Sequence, residues 1–130
     1  MKKLLFCLGI ASLLFACSQE KKPPMLSFDN TTIDIGNVSL SNPVKTCTIE
    51  FQNAGDSLLR MRGVLAQCDC EKVEIKSDSY FLEPHAKGQL TYTLNVSEFH
   101  DTLIHRELKV YSDTRGENPV ILHVVAHVTE

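Results

Sequence analysis

The residues best suited to chemistry in this sequence are two cysteines separated by one residue, Cys68-Asp69-Cys70. If they lie in a loop, their sulfurs can converge, and three alternatives are open. Both thiolates can bind a soft metal such as copper or zinc, or the pair can form a disulfide that takes part in thiol exchange. One of them can instead form a structural disulfide with Cys47 in an oxidising compartment. Copper or zinc is the one cofactor that the sequence suggests, although a single cysteine pair falls short of a typical four-ligand zinc site.

Two histidines are candidate co-ligands for this pair. If the strands alternate in direction, the connections at 65–71 and 97–103 and the end of the last strand lie at one end of the domain. That arrangement brings His100 and His127 toward the cysteines, and mixed sulfur and imidazole donors suit a soft or borderline ion. The alternative, which we favour for each histidine, is a hydrogen-bonded structural role on its strand.

The sequence contains no readable catalytic constellation. Its serines and histidines occur without the Gly-x-Ser-x-Gly elbow of hydrolases. The six glycines are scattered and form no phosphate-binding loop. We therefore predict that the protein is not an enzyme.

The elements that must position these residues are β-strands, because apolar residues recur at every second position from Met25 onward. Three examples are the runs Cys47, Ile49 and Phe51; Leu90, Tyr92, Leu94 and Val96; and Leu108 and Val110. Clusters rich in Gly, Pro, Asn and Asp separate the runs. About seven short strands in one domain, residues 25–130, predict an all-β fold, an immunoglobulin-like antiparallel β-sandwich.

The first 17 residues have the organisation of an export signal. Lys2 and Lys3 precede an apolar stretch at 4–14, which is too short to span a membrane permanently. The end of this segment, Leu14-Phe15-Ala16-Cys17, resembles the lipobox of bacterial lipoproteins. In such proteins the signal is cut before the cysteine, which then carries acyl chains on its thiol and its new amine.

This resemblance predicts a signal peptide at 1–16 and a lipidated Cys17 that begins a tether at 17–24. Ser18 stands where retention at the inner membrane would require Asp, so we expect an outer-membrane lipoprotein, at the periplasmic or the surface face. The alternative is an ordinary signal peptide with a chance cysteine.

Removal of the signal makes the chain more acidic. The full sequence has 13 basic and 16 acidic residues; without Lys2 and Lys3 eleven basic residues remain, and the formal charge changes from −3 to −5. An acidic domain argues against nucleic acid as a partner and against electrostatic attachment to anionic lipid. The expected partners are the membrane, through the lipid anchor, and an envelope protein.

An ordered set of short motifs resembles the DUF1573 family of bacterial immunoglobulin-like domains, which is related to the ASPM–SPD-2–Hydin and major-sperm-protein sandwiches. The motifs are Asp34-Ile35-Gly36, Phe51-Gln52-Asn53-Ala54-Gly55-Asp56, Cys68-Asp69-Cys70, Leu82-Glu83-Pro84 and Gly88. The resemblance covers roughly residues 27–128 and implies the sandwich fold without a general activity. In two places the chain departs from the family pattern, with Asp69 where the family tends to have Gly, and Pro84-His85 where it tends to have Pro-Gly.

Two tripeptides, Asp56-Ser57-Leu58 and Asp101-Thr102-Leu103, resemble the sites at which some Gram-negative bacteria attach O-glycans to exported proteins. Both fall at predicted strand connections, so Ser57 and Thr102 are candidate glycosylation sites. Such a modification would not itself supply an activity.

The leading functional prediction is a membrane-anchored, non-enzymatic binding or scaffolding module of the cell envelope. The alternative is a metal-binding or thiol-redox module centred on Cys68-Asp69-Cys70.

Overall fold

The computed structural model describes residues 20–100 and 102–130, and these form two packed β-sheets. The predicted signal peptide, Cys17 and the first part of the predicted tether lie outside the described residues. The strands are β1 (Leu26–Ser27), β2 (Thr32–Ser39), β3 (Val44–Asn53), β4 (Leu59–Leu65), β5 (Glu71–Ile75), β6 (Phe81–Leu82), β7 (Lys87–Asn95), β8 (Leu103–Ser112) and β9 (Val120–Thr129). One sheet has the order β1-β3-β7-β5 and the other β2-β9-β8-β4-β6. Within the described residues, no helix has the length and apolar character needed to cross a membrane.

The alternating pattern builds the core between the two sheets. In β7, Leu90, Tyr92 and Leu94 are fully buried, whereas Thr91 between them stays partly exposed. Strands β8 and β9 of the opposite sheet contribute inward residues with the same spacing, such as Leu108. Full burial of one such aliphatic side chain stabilises the fold by about 1.5–3 kcal/mol. The predicted sandwich is therefore confirmed.

One strand pair differs from the predicted antiparallel arrangement, because β2 runs parallel to β9 with Ile33 opposite Val124. Strand β1 pairs with β3 in the first sheet. The chain then passes to the second sheet through residues 28–31 without reversing its direction. It therefore enters the second sheet running the same way as β9.

The strand directions divide the connections between two ends of the sandwich. We call one end the cysteine pole; it contains the β4–β5 loop, the described part of the β7–β8 connection and the end of β9. The other end, the tether pole, contains the turns that follow β3, β6 and β8. A hydrogen bond from Asn95 N to Cys70 O, 2.9 Å long, ties the end of β7 to the cysteine loop.

Part of the predicted tether is bound to the domain. Asp56 N donates to Lys22 O at 3.1 Å, and Lys22 N donates to Asp56 Oδ2 at 3.1 Å. Three residues later, Met25 O accepts a hydrogen bond of 2.7 Å from Ala54 N. From Lys22 onward the chain is therefore held at the tether pole, at the end opposite the cysteine loop.

Candidate functional site

The structure joins Cys68 and Cys70 in a disulfide, with their Cα atoms 5.2 Å apart. Both residues are half-buried in the loop between β4 and β5, at the cysteine pole. Cys47, the predicted alternative partner, has a free thiol and lies on β3 opposite Tyr92. The structure therefore does not contain a disulfide between Cys47 and a loop cysteine, because Cys68 and Cys70 are bonded to each other.

The disulfide closes a very short loop, since its cysteines are two positions apart. In the chain-entropy description, a cross-link over three residues stabilises a fold by roughly 1.6 kcal/mol, against about 3 kcal/mol over 15 residues. The ends of the loop are also held by the sheet, and Glu71 N donates to Cys68 O at 3.2 Å. The bond therefore adds little to the stability of an already fixed connection.

A buried carboxylate lies beside the disulfide. Glu71, the first residue of β5, is 8% exposed, and its Oε1 is 3.6 Å from Cys68 Sγ. The same oxygen accepts a hydrogen bond of 3.3 Å from Gln67 N, and Oε2 accepts one of 2.6 Å from the Tyr92 hydroxyl. At this position a carboxyl group can exchange a proton with Cys68 once the disulfide is opened.

Tyr92 holds that carboxylate from inside the core. Burial raises the pKa of its hydroxyl far above the usual range, and the hydrogen bond to Glu71 raises this pKa further. The hydroxyl therefore remains a donor throughout the ordinary pH range. Burial also raises the pKa of the neighbouring Cys47 thiol, against the opposing charge of Lys45.

Arg106 brings a positive charge into the same end of the core. It lies two positions before Leu108 on β8 and so on the same, inward side of the strand. Its guanidinium carbon lies 5.0 Å from the centre of the Phe99 ring. Among the described residues, its Nε is the buried side-chain nitrogen that has no hydrogen-bond partner. The cysteine pole thus combines the Glu71 carboxylate, which contacts Cys68, the Tyr92 hydroxyl bonded to that carboxylate and the half-buried Arg106.

The two predicted histidine ligands are not brought to the cysteines. Within the part of the chain that the structure describes, the group whose potential ligand atoms lie within 4.8 Å of one another is Cys68, Cys70 and Glu71. His127 instead places Nδ1 3.2 Å from Asn37 Oδ1 on β2, and His100 is exposed in the β7–β8 connection. Because both sulfurs are bonded to each other, copper or zinc binding by this group requires the reduced protein.

Sequence reasoning missed Glu71 and Tyr92 as site residues. The available signal for Glu71 was its position directly after Cys70, at the start of a strand. Tyr92 alternates with Leu90 and Leu94 on the apolar side of β7, and this pattern predicts a core residue. It gives no indication that the hydroxyl binds a carboxylate. Their contact depends on the pairing of β5 with β7, in which Glu71 lies opposite Leu94.

The two candidate glycosylation sites differ in their surroundings. Ser57 Oγ donates a hydrogen bond of 3.0 Å to Lys22 O, so its hydroxyl helps to hold the tether segment. Thr102 is exposed directly before β8, beside residue 101, which lies outside the described residues.

A partly apolar surface lies at the end of β4. One depression between β4 and β5 is lined by Gly63, Val64, Val73 and Ile75, among others. A second is lined by Arg62, Gly63, Val64, Leu65 and Tyr111, and Leu65 is 56% exposed. Since the depressions share two residues, we treat them as one surface and call Val64, Leu65, Val73, Ile75 and Tyr111 the β4 surface.

The two sheets and their connections define an immunoglobulin-like β-sandwich domain. The chain belongs to the DUF1573 family, described as a protein family of unknown function, and the match covers residues 26–128. The resemblance carried by the short motifs is therefore confirmed. No curated protein sequence matches the chain.

Several solved structures share this fold. A protein of unknown function from Porphyromonas gingivalis W83 has a TM-score of 0.71 at 14% identity, with 88% of this chain and 51% of that chain covered. PapD-like domain 7 of human CEP192 has a TM-score of 0.62 at 11% identity, covering 92% and 96%. The VesB protease of Vibrio cholerae has a TM-score of 0.64 at 12% identity, covering 79% and 32%. The chain thus spans about half of the P. gingivalis protein and a third of the protease, and identities this low show the fold alone.

Proposed function

We propose that the protein is a lipid-anchored, non-enzymatic module that binds an extended segment of another envelope protein at the β4 surface. The observation that carries this proposal is the position of the β4 surface between two strand edges. Strand β6 pairs with β4 only at Leu59 and Arg60, and β5 pairs with β7 on one side. Among the described strands, neither the last residues of β4 nor the outer side of β5 has a further partner.

An exposed strand edge offers backbone donors and acceptors to an added strand, while neighbouring depressions receive its alternate side chains. On β5, Lys72 and Glu74 form an exposed ion pair of 3.1 Å, and charges on an edge discourage strand addition. The residues of β4 from Gly63 to Leu65 are uncharged; Gly63 and Val64 border both depressions, and Leu65 borders one. The charged lining residues are Arg62, before this run, and Glu74 on β5. We therefore assign the added strand to β4 and expect its inward side chains to be apolar.

Membrane anchorage is the second part of the proposal. The lipobox resemblance supports acylation of Cys17 and attachment to the outer membrane. The docked segment at Lys22 belongs to the tether pole, whereas the end of β4 lies at the cysteine pole. An anchored domain would in this way present the β4 surface away from the lipid.

Photo-crosslinking in intact cells tests the binding site. A photoreactive residue in place of Leu65 should give one discrete product of higher mass. The same residue in place of Thr48, which is exposed on the outer face of the other sheet, is the matched control and should give none. The variant Tyr111→Ser should weaken the Leu65 product because it removes part of the apolar lining. Equal products from Leu65 and Thr48, or a product insensitive to Tyr111→Ser, would contradict binding at this surface.

Fractionation tests the anchor independently. The variant Cys17→Ser should not incorporate labelled palmitate, and after any cleavage it should leave the membrane fraction. Retention of label in that variant would contradict lipidation at Cys17 and leave the crosslinking result unaffected.

A further inference from the structure

The Cys68–Cys70 disulfide contributes little to the stability of the fold, and it lies in a half-buried loop at the surface. It joins residues two positions apart in a loop already fixed by the sheet. Both cysteines are half-buried, so neither residue is enclosed in the core. A depression at the surface is lined by Asp69, Cys70, Asn95, Ser97 and Glu98. Cys70 thus borders an open depression on one side and packs against the core on the other, while Cys68 is in contact with Glu71.

We infer that this disulfide is a thiol–disulfide exchange site, which accepts two electrons from a dithiol of another envelope protein, with Glu71 as the proton carrier. This inference goes beyond the proposed binding function and does not depend on it. It rests on the short separation of the cysteines, their accessibility and the position of Glu71 3.6 Å from Cys68 Sγ.

In the first step, a partner thiol loses its proton and the thiolate attacks Cys70 Sγ. A bond forms between the partner sulfur and Cys70, the bond between Cys70 and Cys68 breaks, and its electron pair goes to Cys68. The Glu71 carboxylate accepts the proton that the partner thiol released and passes it to Cys68. Thiolate attack through a mixed disulfide is the general route of such exchange.

In the second step, the second thiolate of the partner attacks the partner's own sulfur in the mixed disulfide. Cys70 leaves and takes up a proton, so the loop ends as a dithiol and the partner as a disulfide. The partner is oxidised by two electrons and the loop is reduced by two. When a disulfide of another protein reoxidises the loop, the Glu71 carboxylate accepts the proton of Cys68.

The charge around Cys70 limits which thiols react. Asp69 and Glu98 line the same depression as Cys70, so an incoming thiolate that uses this depression meets two carboxylates. Like charges repel, so an anionic small thiol such as glutathione is disfavoured relative to a neutral dithiol. A protein dithiol with neutral or basic neighbours suits this approach.

The test uses the protein expressed from its full sequence and purified in detergent, carrying Cys47→Ser to remove the free thiol on β3. Reduction by dithiothreitol and by glutathione is followed by alkylation and mass measurement in native buffer. We expect Glu71→Gln to slow reduction by dithiothreitol about tenfold or more, since general acid–base groups typically contribute at least that much. Glu98→Gln is the matched control, because it removes the same charge from the surface depression. It should raise the glutathione rate by more than the dithiothreitol rate, because dithiothreitol attacks as a thiolate but carries no other charge, and it should not slow reduction by dithiothreitol.

Trapping variants identify the attacked sulfur. In Cys68→Ser, the Cys70 thiolate should attack the disulfide form of the partner, release one of its sulfurs as a thiol and remain joined to the other as a mixed disulfide in cells, whereas Cys70→Ser should capture far less. This comparison stays informative if Glu71→Gln fails to fold.

Three results would overturn the inference. The first is a disulfide that opens only in denaturant, which would make it structural. The second is equal dithiothreitol rates for Glu71→Gln and Glu98→Gln. The third is a reduced protein that binds one equivalent of Zn(II) or Cu(I) and thereby resists reoxidation, which would make the loop a metal site.

Discussion

At the scale of single residues, Asn53 holds the tether pole together through its side chain. The residue is fully buried at the end of β3. Its Nδ2 donates to Ser57 O at 2.7 Å and Leu82 O at 3.0 Å, and its Oδ1 accepts from Gly55 N at 3.0 Å and Met25 N at 3.3 Å. One side chain thus connects three separate segments of the chain.

We expect Asn53→Ala to lower the free energy of unfolding by about 3 kcal/mol, because it leaves buried donors and acceptors without partners. Chemical denaturation measures the change. The exposed Asn42 makes a matched control, and Asn42→Ala should change stability by less than about 0.5 kcal/mol. Similar losses in both variants would contradict the connecting role of Asn53.

His85 occupies a backbone conformation that favours glycine. Its φ is 66°, in the left-handed region, at the turn between β6 and β7. This is the position at which the family tends to have Gly after Pro, so the departure seen in the sequence falls on a residue with a conformational cost. The His85 ring partly compensates through a contact of 3.2 Å with Asp56 Oδ1.

We expect His85→Gly to be more stable than His85→Ala by about 1 kcal/mol, because only glycine adopts this conformation without a Cβ penalty. Both variants lose the exposed contact with Asp56, so their difference isolates the backbone term. Thermal unfolding of the two variants side by side provides the measurement. Equal stabilities would mean that the turn relaxes to accept a Cβ atom.

At the scale of elements, the packing of β7 against β3 requires a residue without a side chain at one point. A Cβ atom on Gly88 would lie 2.6 Å from Phe51 Cε2 and 3.0 Å from Ser79 Cβ. Strand β7 pairs Gly88 with Phe51 directly. The ring of Phe51 therefore covers the space that any larger residue would need.

Gly88→Ala should destabilise the fold by about 1–3 kcal/mol, the usual cost of overpacking a core. The same change in a Phe51→Leu background should cost at least about 0.5 kcal/mol less, because the smaller side chain frees the space. A double-mutant cycle by urea denaturation measures this coupling. Additive costs would show that the ring of Phe51 is not what excludes the side chain.

The strands that the sequence predicts well are those with long alternating runs. The inward faces of β3, β7 and β8 follow directly from the spacing of residues such as Ile49, Leu90 and Leu108. The parallel pairing of β2 could not be predicted, because the change of sheet at residues 28–31 depends on how β1 and β9 are placed. The cysteine pair is recognisable from residue type alone, whereas the Glu71–Tyr92 contact depends on strand register.

At the scale of the whole molecule, the docked segment fixes which end of the domain faces the anchor. Backbone hydrogen bonds hold Lys22 and Met25 at the tether pole, and the cysteine loop lies at the other end. With an acyl chain on Cys17, as proposed above, only residues 18–21 would separate the docked segment from the lipid. If the anchor is present, the disulfide and the β4 surface point toward partners away from the membrane.

Asp56 makes this attachment sensitive to acid. The hydrogen bond from Lys22 N lowers the pKa of the Asp56 carboxyl, and the contact with His85 lowers it further. Because this pKa is lower in the folded than in the unfolded chain, the carboxylate stabilises docking at pH values above the ordinary carboxyl pKa of about 3.9. The contribution is lost as the pH falls through the lowered value.

We therefore expect the amide protons of Lys22 and Asp56 to be protected from exchange at neutral pH and to lose protection on acidification below about pH 4. Asp56→Ala should show reduced protection at both pH values, because it removes the carboxylate that accepts from Lys22 N. Asp78→Ala, at an exposed acid of the turn before β6, is the matched control and should behave as the unchanged protein. Protection that persists in Asp56→Ala at neutral pH would assign the docking to the Met25–Ala54 contact, and the orientation of the domain would then not depend on pH.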